Sequence, residues 1–570
     1  MMRSRVLFIF FVCLFFVLSL GLVHLTVVRG TELKDLSERN CIRLLPQPGA
    51  RGKIFDRNGE AIVQNRLSYD VLVLAEKLNR LEKVLRTVSE VLELDFSVVQ
   101  RRFRQGFSGK SIPVTVARNI DRRRAITLEE LKIDLPGLII QPNPVREYPH
   151  GRLACHLIGY INQIDRWRLT KLENYGYKTK DLVGFMGVEE KYDYYLRQEE
   201  GGLSFEVDHR GRLSRTLGFK HPENGRDIRL TLDTRVQGIA EEVLGEQKGA
   251  VVVMDPHTGE VIAMVSRPAF DPSVFVREDN KEISALFRDK DSPLINRAVS
   301  GVYPPGSVFK PIVAVAALEE KVVSPEDTFL CTGKSRVGSH TFKCWDVHGP
   351  QNVADSLQNS CNVFYYRVGI MLRAQTIYNY AIRFGLAKAT PFELPYEASG
   401  FMPSPLWRKL HKFKGWYDGD TANISIGQGE VLVTPLQIAR MMAVFANGGY
   451  LVNPYITGAV DGKPVTKYRK RVHLSISDAT MRQITGGLRD VVLQPGGTGH
   501  VLADLPVAVA GKTGTAQAPP GNTHAWFVGY FPFRSPRYVI CVFLERGGPG
   551  HVACLKAREI IGKMRALGLG

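Results

Sequence analysis

The chain has 570 residues, 44% of them hydrophobic and 23% charged, with a formal net charge of +18. That length is enough for about three domains, and the composition excludes a disordered chain, a collagen-like repeat and a disulfide-stapled miniprotein. Eight cysteines are too few for a disulfide framework and enough for one metal site, while the basic balance suits nucleic acid, anionic lipid or an anionic polymer.

The first predicted element separates these partners. Val6 to Val28 is a run of 23 residues without Asp, Glu, Lys or Arg. As a helix it reaches about 34 Å, enough to cross a bilayer core of about 30 Å. Arg3 and Arg5 on the stub before it favour a cytoplasmic N-terminus. A cleaved signal peptide is the alternative, but its apolar region usually covers about 7–15 residues and ends in a small-residue site that is absent here. The reading is a cytoplasmic stub, 1–5, and an uncleaved single-pass anchor, 6–28, with the rest exported. Nucleic acid then drops out as a partner. Cys13 falls within the span as a lipid-facing or packing residue.

Residues 29–225 read as a non-catalytic pedestal. Arg51-Gly52-Lys53-Ile54-Phe55-Asp56-Arg57-Asn58-Gly59 carries the hairpin signal Asn-Gly, followed by the apolar Ala61-Ile62-Val63. Tyr69 to Leu74 alternates as a strand does. The head region, about 76–135, carries helical patterns such as Leu81, Val84, Leu85 and Val88. Between Arg101 and Arg124 stand eight basic residues and one acid, Asp121. That run is either a solvated face or a contact for lipid headgroups, wall polymer or a protein. No strand–Gly-x-Gly-x-x-Gly–helix unit is present, so a nucleotide loop is not indicated.

From 226 to 570 the pattern is α plus antiparallel β. Ile228–Leu232 is a predicted strand and a helix begins near Asp233. Val251–Met254 and Val261–Val265 flank a turn at 255–259 and read as a hairpin. Val507–Gln517, Ala525–Tyr530 and Tyr538–Leu544 are late strand candidates, and a closing helix runs from about Ala553 to Leu567. The stretch 270–500 reads as mostly helical. The expected fold is an antiparallel sheet sandwiched by helices.

Three short motifs fall in order here. In Pro304-Pro305-Gly306-Ser307-Val308-Phe309-Lys310, Pro-Pro-Gly leads into a helix, so Ser307 sits on its first turn and Lys310 on the same face. A serine hydroxyl is a weak nucleophile until a base takes its proton, and a neutral lysine amine one turn away can do so. Ser360-Cys361-Asn362 opens an apolar helical run. Lys512-Thr513-Gly514-Thr515 lies on a predicted strand. Ser-x-x-Lys alone is common by chance. Joined to Ser-x-Asn and Lys-Thr-Gly in an exported chain, it is the signature of penicillin-binding proteins and serine β-lactamases.

At these residues the chain resembles the class B penicillin-binding proteins, the membrane-anchored D,D-transpeptidases of bacterial wall synthesis. The likeness includes Arg51–Gly59 and Gly184-Phe185-Met186-Gly187-Val188-Glu189. Tyr148-Pro149, Asn296-Arg297-Ala298, Ser425-Ile426-Gly427-Gln428-Gly429, Thr434-Pro435-Leu436-Gln437 and His524-Ala525-Trp526-Phe527 resemble the elongation type, the penicillin-binding protein 2 subfamily. The resemblance implies an α+β fold: a penicillin-binding/serine β-lactamase-like transpeptidase domain on an N-terminal pedestal with a single transmembrane helix. It implies that Ser307 attacks the penultimate D-Ala carbonyl of a peptidoglycan stem peptide, that terminal D-Ala leaves, and that a neighbouring stem amine resolves the acyl-enzyme. Lys310 is then the base, kept neutral with help from the like charge of Lys512. Ser360 relays a proton to the leaving amine and Asn362 orients the substrate amide and Lys310. Lys512, Thr513, Gly514 and Thr515 take the terminal carboxylate, and the N–H groups of Ser307 and Thr515 form the oxyanion hole. β-Lactams acylate the same serine, and no cofactor is needed for catalysis. The implied partners are a glycan polymerase of the shape, elongation, division and sporulation (SEDS) family and the rod-complex scaffold, at the inner membrane with the catalytic domain on the extracytoplasmic side.

The middle residue of the second motif departs from the commoner pattern. Ser360 and Asn362 both face the site only if Cys361 points into the scaffold. Cys331, Cys344, His348 and Cys361 then give C-x12-C-x3-H-x12-C, a donor set suited to a closed tetrahedral zinc site. A Cys331–Cys344 disulfide and three unrelated buried thiols are the alternatives, with Asp327 and Asp346 as substitute ligands. Cys41 and Cys155 remain as buried thiols, and so do Cys541 and Cys554 unless they pair. Rival functions are a division-type transpeptidase, a D,D-carboxypeptidase in which water replaces the amine, and a non-catalytic β-lactam sensor or scaffold. Five cytoplasmic residues leave no room for a sensor's output domain.

Overall fold

The computed structural model describes residues 2–34, 42–74, 78–107, 113–135, 137–179, 181–207 and 213–569. Cys41 and Lys110 lie outside these. Helix Met2–Val23 continues through one π-helical turn, His24–Val28. Within it Leu7–Val28 is long and apolar enough to cross a membrane, and none of it is buried. A helix suits that role because it satisfies its own backbone hydrogen bonds.

The chain divides into two compact units. The first comprises residues 1–52, 65–147 and 197–225. It holds an antiparallel sheet of Ile42–Gln47, Gly201–Val207 and Leu213–Lys220. It also holds a small core in which helix Leu78–Leu92 buries Val84, Leu85 and Val88. Residues 114–120 form a strand inside the region expected to be helical: Val114 and Val116 alternate into that core. Arg101, Arg102, Arg104, Arg118, Arg122 and Arg123 are exposed.

The second unit comprises residues 53–64, 148–196 and 226–570. Its centre is a five-stranded antiparallel sheet. The strands are β1 (Gly249–Met254), β2 (Val261–Arg267), β3 (Ala510–Ala518), β4 (Asn522–Phe531) and β5 (Tyr538–Leu544), in the order β2-β1-β5-β4-β3. Successive side chains of a strand point to opposite faces. Val252, Met254, Trp526, Val528, Cys541 and Phe543 accordingly join one core. Val251, Val253, Phe527, Ile540, Val542 and Leu544 join the other. With both faces covered, β1, β2 and β5 read as mostly continuous apolar runs rather than alternating ones.

Helix α1 (Thr234–Leu244), capped by the Asp233 carboxylate, and the closing helix α7 (Gly550–Ala566) cover the second of these faces. On the first lie α2 (Lys310–Glu319), α3 (Val353–Gln358), α4 (Asn362–Arg383), α5 (Pro435–Ala446) and α6 (Asp478–Leu493). α5 is buried along its whole length and mostly apolar, with the polar exceptions Gln437 and Arg440 hydrogen-bonded to backbone carbonyls. The helical middle is interrupted by short strands that the sequence did not suggest. Among them are the hairpin Lys334–Val337/His340–Lys343 and the pair Phe329–Cys331/Gly349–Gln351. Cys155, Cys541 and Cys554 are buried free thiols, and Cys13 is exposed.

Candidate active site

The nucleophile candidate sits on a tighter turn than a regular helix provides. Gly306–Phe309 is a 3-10 turn, and the Lys310 N–H donates to the Ser307 carbonyl as α2 begins. Residues three apart eclipse in this geometry, which puts Ser307 and Lys310 on one side. Gly306 has φ +58°, and a Cβ there would stand 2.7 Å from the Thr515 carbonyl oxygen. The turn therefore presses directly on edge strand β3. From the other side the Gly306 N–H donates to the Gly427 carbonyl at 2.9 Å. A Cβ on Gly514 would lie 3.0 Å from the Pro305 carbonyl and from Val308.

Lys310 is fully buried. Its Nζ donates to the Ser360 carbonyl at 2.7 Å, to Ser360 Oγ at 3.2 Å and to Asn362 Oδ1 at 2.8 Å. Ser360 is not helical: its φ of +52° turns the chain so that carbonyl and hydroxyl face the same amine. Asn362 opens α4, and Cys361 between them is wholly buried in the core. Serine and asparagine thus share one face while the cysteine points away.

Lys512 is also fully buried, and among the described residues its one hydrogen bond is to the Thr513 carbonyl at 3.3 Å. Among the described residues no carboxylate bonds to either amine. Burial lowers Lys310 to about 7, opposed in part by the charge of Cys344 and Cys361. Burial also pushes Lys512 well below the usual lysine range, and the charge of Lys310 adds to that. Burial is the larger cause for both amines, and the repulsion between their charges disfavours a proton on either. Lys310 meets three acceptors, and among the described residues Lys512 meets one, at the longer distance.

Two further residues reach this cleft. Thr513 Oγ1 donates to Thr498 Oγ1 at 2.7 Å, and Gln428 Nε2 donates to the Thr515 carbonyl at 3.3 Å. Thr515 Oγ1 accepts the Gly550 N–H at 2.9 Å. The sequence reading assigned neither Thr498 nor Gln428 to the site. The signal for Thr498 was its setting, Gly496-Gly497-Thr498-Gly499, where dense glycine marks a close backbone approach.

Behind the second motif, donor atoms of Cys331, Cys344, His348 and Cys361 all lie within 4.8 Å of one another. Nδ1 of His348 stands 3.6 Å from the sulfurs of Cys331 and Cys344. An ideal tetrahedron with Zn–S of about 2.3 Å and Zn–N of about 2.0 Å has S···N edges of about 3.5 Å. Hydrogen bonds from Cys361 and from the N–H groups of Asp346, Asn362 and Val363 lower the Cys344 thiol to about 4, with Cys361 raised in turn. A thiolate held this way is a ready metal ligand. The donor set fits a tetrahedral soft cation. Cys331 and Cys344 are free thiols rather than a disulfide. The carboxylates of Asp327 and Asp346 accept N–H groups of Ser324 and Val347 and stand outside the cluster.

The chain that carries this site is similar to known proteins over most of its length. Residues 249–563 match the penicillin-binding protein transpeptidase domain, and residues 46–230 match the penicillin-binding protein dimerisation domain. The chain belongs to the penicillin-binding protein transpeptidase family. The peptidoglycan D,D-transpeptidase MrdA of Escherichia coli K12 is 32% identical over 590 aligned residues, covering 98% of this chain and 93% of that protein. The penicillin-binding protein PBP2 of Helicobacter pylori, solved in complex with MreC, superposes with a TM-score of 0.81 at 26% identity, covering 92% of this chain and 99% of that one. A chain of a peptidoglycan synthase complex, solved to describe coordination of polymerisation and crosslinking, has a TM-score of 0.75 at 31% identity and 98% coverage of each chain.

Proposed function

We propose that the protein is a peptidoglycan D,D-transpeptidase of cell elongation, tethered by Leu7–Val28, with its catalytic unit on the extracytoplasmic side. The observation that carries this reading is Lys310: a buried amine with no acid partner among the described residues, one 3-10 turn from Ser307 and bonded to both Ser360 and Asn362. The elongation role is supported by the similarity to MrdA. The proposed layout is stub 1–5, anchor 6–28, pedestal 29–225 and catalytic domain 226–570. A scaffold of the MreC kind and a glycan polymerase of the SEDS family are the proposed partners, on the strength of the relatives' complexes.

In this mechanism the stem peptide's terminal carboxylate docks at Lys512 and Thr513. An anion there favours the charged form of Lys512, and that ammonium in turn disfavours a proton on Lys310. Lys310 takes the Ser307 proton as Oγ attacks the penultimate D-Ala carbonyl. The developing oxyanion is held by the N–H groups of Ser307 and Thr515; losing one such donor typically costs about 10²–10³ in rate. Ser360 passes a proton to the nitrogen of the departing D-Ala, leaving an ester on Ser307. An amine of a second stem attacks the ester, gives up a proton through the same groups and restores the serine. A β-lactam follows the first half and stops at the ester.

The test is product analysis with a pentapeptide-bearing substrate and the purified full chain. Cross-linked dimer should form with release of one D-Ala per link. Release of D-Ala without dimer, at saturating acceptor amine and with the polymerase partner present, would favour the carboxypeptidase reading.

Cys331, Cys344, His348 (through Nδ1) and Cys361 would hold a structural zinc ion, which contributes no step to the chemistry. Its role would be to fix Cys361 and hence the Ser360–Asn362 turn. Metal analysis should give about one zinc per chain, and Cys361→Ser should lose it and lower Tm by roughly 5 °C or more. A metal-free parent protein would overturn this assignment.

A further inference from the structure

Thr513 is buried, and its hydroxyl donates to a second hydroxyl, Thr498 Oγ1, at 2.7 Å. Thr498 comes from the loop joining α6 to β3, not from any of the three motifs. The Thr498 N–H donates to the Gln358 carbonyl at 3.3 Å, at the end of α3 and two residues before Ser360. A backbone bond at one end and a side-chain bond at the other therefore tie the second motif to the third. The loop is folded tightly: the Gly499 N–H donates to the Val491 carbonyl at 2.9 Å, and a Cβ on Gly497 would stand 2.2 Å from that oxygen.

A hydroxyl has one proton to donate and two lone pairs to accept with, and its hydrogen turns to suit the partner. In a pair of hydroxyls one proton is used between them and the other is free. With Thr513 donating to Thr498, the free proton is on Thr498. If a carboxylate arrives at Thr513, the pair reverses: Thr498 donates to Thr513, and Thr513 donates to the anion. Hydrogen bonds in such a chain polarise and strengthen one another. A lone threonine would have no donor behind it and no fixed rotamer.

We propose that Thr498 is a positioning residue for carboxylate recognition, acting as the second hydroxyl of a Thr498–Thr513 relay. This rests on the reading that Lys512 and Thr513 receive the terminal carboxylate. The group recognised is a carboxylate beside the scissile amide, in a D-Ala terminus or a β-lactam.

The experiment compares the full chain with Thr498→Val, which keeps the shape and removes the hydroxyl, and Thr498→Ser, which keeps the hydroxyl. The readout is the second-order rate constant of acylation by benzylpenicillin and by its methyl ester, followed by intact mass. Thr498→Val should be acylated about tenfold more slowly by the free acid and change less than about twofold with the ester. Thr498→Ser should stay within about twofold of the parent for both. Equal rates for parent and Thr498→Val with the free acid overturn the proposal. So does an equal loss with acid and ester, since that marks a structural effect. A parent chain that forms no adduct counts against the serine acyl-enzyme reading itself.

Discussion

Replacing Ser307 by alanine abolishes covalent labelling by fluorescent penicillin and leaves the protein folded. Both halves of this result follow from the site. The Ser307 side chain makes no hydrogen bond among the described residues, and the 3-10 turn is held by backbone groups: Gly306 N–H to Gly427 and Lys310 N–H to Ser307. Ser307 is partly buried, and removing its Oγ breaks no hydrogen bond among the described residues, so stability should stay within about 0.5 kcal/mol. Chemistry is lost because the other hydroxyl at the Lys310 amine, Ser360 Oγ, has the role of proton relay and not of nucleophile in this mechanism. Gel fluorescence after penicillin treatment, with a thermal melt alongside, checks both. Label persisting on the variant would show that the nucleophile lies elsewhere.

Lys310→Met should slow acylation by about 10²–10⁴-fold, the usual worth of a positioned general base. The same change alters stability in a direction that burial dictates. The ordinary lysine value is 10.5 and the buried Lys310 stands at about 7. Between those values the unfolded chain holds a proton that the folded chain has given up. Stability therefore rises with pH across that window, by up to about 1.4 kcal/mol per unit for this group. Lys310→Met removes that contribution, so the gain in Tm from pH 7 to pH 9 should shrink relative to the parent. Lys512, lowered in the same sense, keeps the slope from vanishing. Stopped-flow acylation and melts at several pH values give both numbers; a variant acylated at the parent's rate would remove Lys310 from the mechanism.

What could be read from the sequence divides along physical lines. The motif residues were legible because nucleophile, base and carboxylate-binding cation need fixed types at fixed local spacing, and Ser307 and Lys310 are three residues apart. The sheet was legible because strands buried on both faces, such as Val251–Met254 and Tyr538–Leu544, are continuous apolar runs. The closing helix and its partner sheet followed from the same patterning. Three things were harder. Strand 114–120 was absorbed into a basic, helix-like stretch, although Val114 and Val116 already carried period two. The hairpin around Gly338-Ser339 was passed over within a region read as helical, although Gly-Ser between two short runs is a turn signal. The φ of +52° at Ser360 and the Thr498–Thr513 bond were not legible at all. The first is set by Lys310 and the core that swallows Cys361. The second joins residues whose meeting depends on how a glycine loop folds back on Val491.

The surroundings of the two amines were hidden for a related reason. Sequence shows two cations destined for one cleft but not their acceptors. Three acceptors stand around Lys310 and, among the described residues, one stands by Lys512.

The central claim is that an uncharged Lys310 amine activates Ser307 at neutral pH. The most direct measurement is the second-order constant for penicillin acylation of the full chain from pH 5.5 to 9, which reports groups of the free enzyme. The rate should climb about tenfold per unit at the acid end and level off above a midpoint near the value of about 7 set for Lys310. A profile that is flat across that range, or that falls as pH rises through 7, would contradict the account.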